Sequence, residues 1–274
     1  MKKLIVASFA AISVFALNAE ICVKSGEKIA FMGDSITQQG NGTPAGYVNL
    51  VIKGLELCGV NAKKIPAGVS GHKSVQMHER LDRDVISKKP QWMTFSCGVN
   101  DVWHGKNGVP LEKYKELVGK IFDKCAAAGI NVIILTPTMI TEDPAAKNNQ
   151  LLIPYLEFLR EEAKKRNLRI ADLNADMQAL LAEIKKTDKM PGNKLTGDGV
   201  HMAFPGNCMM AWGVLKAMGV EESMKEKIYA AFEEQKGAHT VRVSLSEKDM
   251  KIISEKAKKS GKKVADYIVE AAVK

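Results

Sequence analysis

Five short apolar runs set the limits on what this chain can fold into. They are "KIAFMG" at 28–33, "AKKIPAG" at 62–68, "QWMTFSC" at 91–97, "INVIILTP" at 130–137 and "LRIADL" at 168–173. Between successive runs lie helix-length amphipathic stretches at 45–59, 74–88, 111–128 and 148–167. Pro110 suits a first helical turn and Gly129 a helix end. Apolar strands alternating with helices predict an α/β fold: a parallel sheet covered on both faces. Such sheets hold ligands beyond the carboxyl ends of their strands. Residues 187–203 read as a loop, two further helices are expected at 205–219 and 221–236, and no internal repeat is visible.

The chain has 274 residues, 46% of them hydrophobic, enough to bury a sizeable core. It begins Met-Lys-Lys, followed by 14 apolar or small residues and the ending "NAE". That run is short of the roughly 20 residues of a membrane span. A charged start, apolar middle and small-residue end read as a secretory signal peptide, cleaved after Ala19. A retained anchor is the weaker alternative, and "AEIC" fits a lipoprotein site poorly. Export is therefore expected, to a periplasmic or extracellular location. Loss of Lys2 and Lys3 lowers the formal charge from +9 to +7. The remaining lysines are scattered along helical stretches and read as a solvated surface. Cys22, Cys58, Cys97, Cys125 and Cys208 are widely spaced with no C-x-x-C pair, so no zinc site is expected. A disulfide is open to an exported chain, and five cysteines leave one odd.

The first apolar run ends in Gly33-Asp34-Ser35, delivering a serine to the functional edge of the sheet. A serine hydroxyl is a poor nucleophile until a base takes its proton. Among five histidines, His201 stands in a loop three residues after Asp198, close enough for the carboxylate to take its Nδ1–H. His78 reads as a helical surface or packing residue, and His239 belongs to the C-terminal tail. Acyl transfer also needs donors for a developing oxyanion. The backbone N–H of Ser35, Gly71 after the second strand, and the Asn100 amide after the third are the candidates.

"GDSIT" with Ser35, "GVSG" with Gly71, "GVND" with Asn100 and "DGVH" with Asp198 and His201 resemble, in order, the blocks of the SGNH hydrolases. These are also called GDSL-type esterases and lipases, and the resemblance covers roughly residues 28–219. It implies a three-layer α/β/α sandwich around a five-stranded parallel sheet of flavodoxin-like topology. It further implies Ser35 as nucleophile, His201 as general base and later acid, and Asp198 as the group that orients His201. A backbone carbonyl could share that last role. The oxyanion hole would be the N–H groups of Ser35 and Gly71 with the Asn100 amide. No metal or cofactor is called for. Two departures are Ile36 in place of leucine, and "MAFPGN" after His201, where many relatives have proline directly.

Substrate contacts are less defined. Asp34 is a candidate, though it more readily fixes the turn. His72, beside Gly71, and Trp103 and His104, after the oxyanion block, could border the pocket. Trp103 either stacks on a sugar face or closes the core beneath its loop. An exported SGNH protein without a long apolar lid resembles a carbohydrate O-acetylesterase acting on an acylated small molecule or glycan. A lysophospholipase or broad short-chain esterase or thioesterase is the alternative, and a glycan-binding protein with a vestigial site the non-catalytic one. The hydrolase domain is read as 24–236, with a tail at 238–274. That tail resembles a ribbon-helix-helix module: one strand, a helix opened by Ser246, a Ser260-Gly261 turn and a second helix. It carries nine Lys or Arg and five Asp or Glu. Strand-mediated homodimerisation and a simple helical appendage are its two main readings. DNA binding conflicts with export, so nucleic acid is not expected as a partner.

Overall fold

Four consecutive apolar residues with no exposed surface, Ile29 to Met32, mark β1 (Lys28–Gly33) as an interior strand. In this computed structural model, which describes residues 20–236 and 246–262 with residues 264, 267 and 268, β1 lies between two others. β2 (Lys63–Gly68), β3 (Trp92–Ser96), β4 (Asn131–Leu135) and β5 (Arg169–Ala171) complete a sheet in the order β2-β1-β3-β4-β5. Every pairing is parallel. β2 is an edge strand, and its Lys63, Lys64 and Pro66 suit that place, since proline has no N–H for a further ladder.

The helices are α1 (Ser35–Gly42), α2 (Tyr47–Leu57), α3 (Ser74–Asp84), α4 (Val99–Trp103) and α5 (Leu111–Ala127). They continue with α6 (Lys147–Arg166), α7 (Leu173–Thr187), α8 (Phe204–Ala217), α9 (Lys225–Lys236) and α10 (Glu247–Lys259). Parallel strands need crossovers, which helices between α1 and α6 supply; with α7 to α9, which follow β5, they form two layers. α2, α7, α8 and α9 pack with one another, as do α3, α5 and α6. The outcome is the expected three-layer α/β/α sandwich with the flavodoxin-like strand order.

Two helices were not read from the sequence. α7 fills the stretch after β5, where Asp172 caps it by accepting the Ala175 N–H at 3.3 Å. Its Leu173, Met177 and Leu181 repeat at helical spacing and are buried. α4 is one short helix begun by Gly98 at φ 135, so Asn100 and Trp103 lie on a helix rather than a loop. None of the five cysteines is in a disulfide, and Cys97, Cys125 and Cys208 are buried.

The described residues form two compact units. The larger runs to Asp188 and resumes at Gly192; the smaller joins Lys189–Pro191 to the residues from 246 onward. The apolar core belongs to the larger unit and ends at Phe232. In the smaller unit, Ser246 caps α10 by accepting the Asp249 N–H at 3.1 Å. The leader read at 1–19, the strand read within 241–245 and most of the second tail helix lie outside the described residues. Among the described residues, no helix is long and apolar enough to cross a membrane.

Candidate active site

β1 ends at Gly33 and the chain turns at once into α1. Asp34 is the N-cap, its Oδ1 accepting the Ile36 N–H at 2.9 Å. Ser35 therefore occupies the first helical position, 9% exposed, where backbone N–H groups lack intrahelical acceptors. The loop between α7 and α8 brings His201 over it. His201 Nε2 lies 2.8 Å from Ser35 Oγ although 166 residues separate them.

Asp198 shapes that loop with both carboxylate oxygens. Oδ1 accepts the N–H groups of Val200 and His201 at 2.9 and 2.8 Å. Oδ2 meets His201 Nδ1 at 2.6 Å. Partial burial works against the charge on Asp198, but the His201 ring and the two backbone donors outweigh it and lower its pKa to about 2. Asp198 is thus ionised throughout the neutral range. This direct carboxylate contact at Nδ1 turns the His201 ring so that Nε2 faces the serine.

On the other side stand Gly71 and Asn100. Gly71 has φ +74, and a Cβ there would meet no atom within 4 Å, so its backbone faces open space. The Asn100 amide Nδ2 donates to the His72 carbonyl at 3.2 Å and makes a longer 3.4 Å contact to Asp34 Oδ2. Its Oδ1 is 3.1 Å from His104 Nε2. A carbonyl oxygen only accepts, so His104 acts as the donor and sets which way the Asn100 amide points.

Asp34 is 2% exposed and turned inward onto the α1 backbone, as suits a residue that fixes the turn. Burial raises its pKa to about 6, Asp101 pushing the same way while the Ile36 N–H and His201 oppose. Asp101, also buried, binds the Ser74 N–H and hydroxyl at 3.0 and 2.6 Å. Desolvation raises its pKa as well. His72 has a buried Nδ1 with no hydrogen-bond partner, and desolvation, then the Arg80 charge, lowers its pKa. Trp103 is 42% exposed, which excludes the core-closing reading. Its ring stands edge-on to His201 at 6.4 Å and to His104 at 6.2 Å. Among the described residues no cluster of three or more His, Cys, Asp or Glu could hold a metal ion.

A serine on a strand-to-helix turn, met by a histidine and a carboxylate from one later loop, is the arrangement of a serine hydrolase, here carried on an α/β/α sandwich. Comparison with known proteins narrows this. The sequence profile of the GDSL-like lipase/acylhydrolase family matches residues 31–203, and the chain belongs to that family. An acetylxylan esterase from Geobacillus stearothermophilus is 27% identical over 218 residues, 73% of this chain and 97% of its own. A crystal structure of an acetylxylan esterase from that organism matches with a TM-score of 0.65 at 24% identity, again over 73% and 97%. Its catalytic mutants replace a serine, an aspartate and a histidine, the last two three positions apart. The acetyl xylan esterase AlAXEase matches with a TM-score of 0.65 at 31% identity, over 69% of this chain and 98% of its own.

Proposed function

We propose that this protein is an exported O-acetylesterase of acetylated xylan or xylooligosaccharides, working through Ser35, His201 and Asp198. The observation that carries the mechanism is the unbroken contact from Ser35 Oγ through the His201 ring to Asp198 Oδ2. The acetylxylan esterases it resembles and the exposed Trp103 beside His201 support the substrate.

In this reading His201 Nε2 takes the Ser35 proton as Oγ attacks the acetyl carbonyl carbon. The carbonyl π electrons move onto oxygen, which meets the N–H groups of Ser35 and Gly71 and the Asn100 amide. The Asn100 proton on the long Asp34 contact is the one that turns to the oxyanion. As the tetrahedral centre collapses, the ester C–O bond breaks and His201 gives its proton to the departing sugar oxygen. Water then attacks acetyl-Ser35, His201 taking its proton, and acetate leaves with Ser35 reprotonated. Trp103 offers a flat apolar face for a xylose ring. Residues 1–19 would act as the export leader.

The test is hydrolysis of p-nitrophenyl acetate, butyrate and laurate beside acetylated xylan, by wild type and Ser35→Ala. Acetate release from the polymer, lost in the variant, is expected. A preference for laurate with an inert polymer would move the substrate to lipid esters.

A further inference from the structure

Nothing in the sequence pointed to Glu142, yet the loop that displays Asp198 and His201 is built on it. Glu142 is 8% exposed, on the segment between β4 and α6. Its Oε2 accepts the Lys194 N–H at 2.6 Å. Its Oε1 accepts the N–H groups of Leu195 and Thr196 at 2.8 and 2.7 Å and the Thr196 hydroxyl at 2.7 Å. Four donors from three consecutive residues thus converge on one buried carboxylate. An ionised carboxylate only accepts, and hydrogen bonds to a charged acceptor are among the stronger ones.

Both sides of this clamp are anchored. Asn149 on α6 receives the Ile140 N–H at 2.8 Å and donates to the carbonyls of Ile140, Thr141 and Asp143. Thr141 sits at φ 69, rare for a β-branched residue, and donates its N–H to the Gly199 carbonyl at 2.7 Å. Beyond the clamp, Thr196 Oγ accepts the Gly199 N–H at 3.1 Å, and the Gly197 N–H reaches the His201 carbonyl at 2.8 Å. Glu142 thus reaches Gly199 through the Thr196 hydroxyl, and the His201 backbone through Thr196 and its peptide-bonded neighbour Gly197.

We infer that Glu142 is a positioning residue for the Asp198–His201 pair, fixing from outside the site the distance between His201 Nε2 and Ser35 Oγ. This rests on the proposed triad. The chemistry makes a demand that glutamine cannot meet. If the amide oxygen faces the three donors at Leu195 and Thr196, its N–H₂ faces the Lys194 N–H. In the other orientation, the N–H groups of Leu195 and Thr196 both face a donor, and only the Thr196 hydroxyl can turn to accept.

The experiment compares wild type, Glu142→Gln, Thr196→Val and Ser35→Ala on p-nitrophenyl acetate. kcat and KM are measured with thermal unfolding and the downfield proton resonance of His201 Nδ1–H. Glu142→Gln is expected to lower kcat about tenfold to a hundredfold with KM within about twofold, since small misplacements of a catalytic group cost that much. Its His201 resonance should broaden or shift while the protein stays folded. Thr196→Val removes one donor to the carboxylate and, with it, the acceptor of the Gly199 N–H, while keeping Glu142 itself; a fall of about threefold to tenfold in kcat tests this path from Glu142 to the loop even where Glu142→Gln fails to fold. Wild-type kcat and an unmoved resonance in a folded Glu142→Gln, or in Thr196→Val should that variant alone fold, overturn the inference. If Ser35→Ala is inactive in that same experiment, the triad survives without it. Full activity in Ser35→Ala overturns both.

Discussion

At His201 the two ring nitrogens have distinct partners, and that division decides what single substitutions do. Ser35→Ala or His201→Ala should lower kcat roughly ten-thousandfold or more with folding intact, measured as turnover beside circular dichroism. Asp198→Asn is a sharper test. Asparagine keeps an oxygen for the N–H groups of Val200 and His201, so the loop should survive, but its amide can donate to Nδ1 and favour the wrong tautomer. A loss in kcat of about a thousandfold to ten-thousandfold with an unchanged unfolding temperature is expected. Asp34 gives a pH prediction. An acid whose folded pKa of about 6 exceeds its ordinary 3.8 holds its proton more tightly in the fold. The stabilisation is complete below about pH 4 and is lost as pH rises through about 6, a change of about 3 kcal/mol. Asp198 works in the opposite sense, its contribution present above about pH 4 and lost towards pH 2. Asn is as good an N-cap as Asp, so Asp34→Asn should flatten the fall in stability between pH 4 and 6. Urea unfolding at several pH values would show it, and an unchanged slope would remove Asp34 as its source.

At the scale of elements, the site depends on how closely α1 is pressed to the sheet. A Cβ on Gly68 at the end of β2 would lie 2.4 Å from the Gln38 nitrogen and 2.7 Å from the Thr37 carbonyl carbon. Both belong to the α1 backbone, which cannot yield as a flexible side chain can. Gly68→Ala should destabilise by about 2–3 kcal/mol and lower kcat, because α1 carries Ser35. Gly71→Ala is the contrast: its Cβ meets nothing, so the cost is the positive φ alone, about 1–2 kcal/mol. Denaturant titration of both variants tests the order. The His201 loop is likewise held from two sides, by Glu142 before it and by Asn207 after it. Asn207 donates to the Met202 and Ala203 carbonyls while receiving the Tyr47 N–H.

For the whole molecule, the core and every site residue belong to the larger unit. A chain ending at Lys236 should keep kcat within about twofold, on the principle that a unit with its own core folds by itself. Size-exclusion of the two lengths separates strand pairing from a helical appendage, and salt-dependent DNA affinity would revive the remaining reading of the tail. The alternation of strands and helices was legible because a parallel sheet buried on both faces must be written as apolar runs. Ser35, Gly71, Asn100, Asp198 and His201 were legible because short motifs carried them, each beside its own turn. α7 escaped although its pattern was present, and α4 because one helical turn is too short to show a period. Local sequence thus determined which strands form, where the serine sits and which aspartate can reach which histidine. Only the tertiary structure decided that Asp34 turns inward, that Trp103 stays exposed beside His201, and that Glu142 reaches 52 residues along the chain to grip the catalytic loop. Those outcomes depend on burial and on contacts between distant segments, which no local pattern encodes.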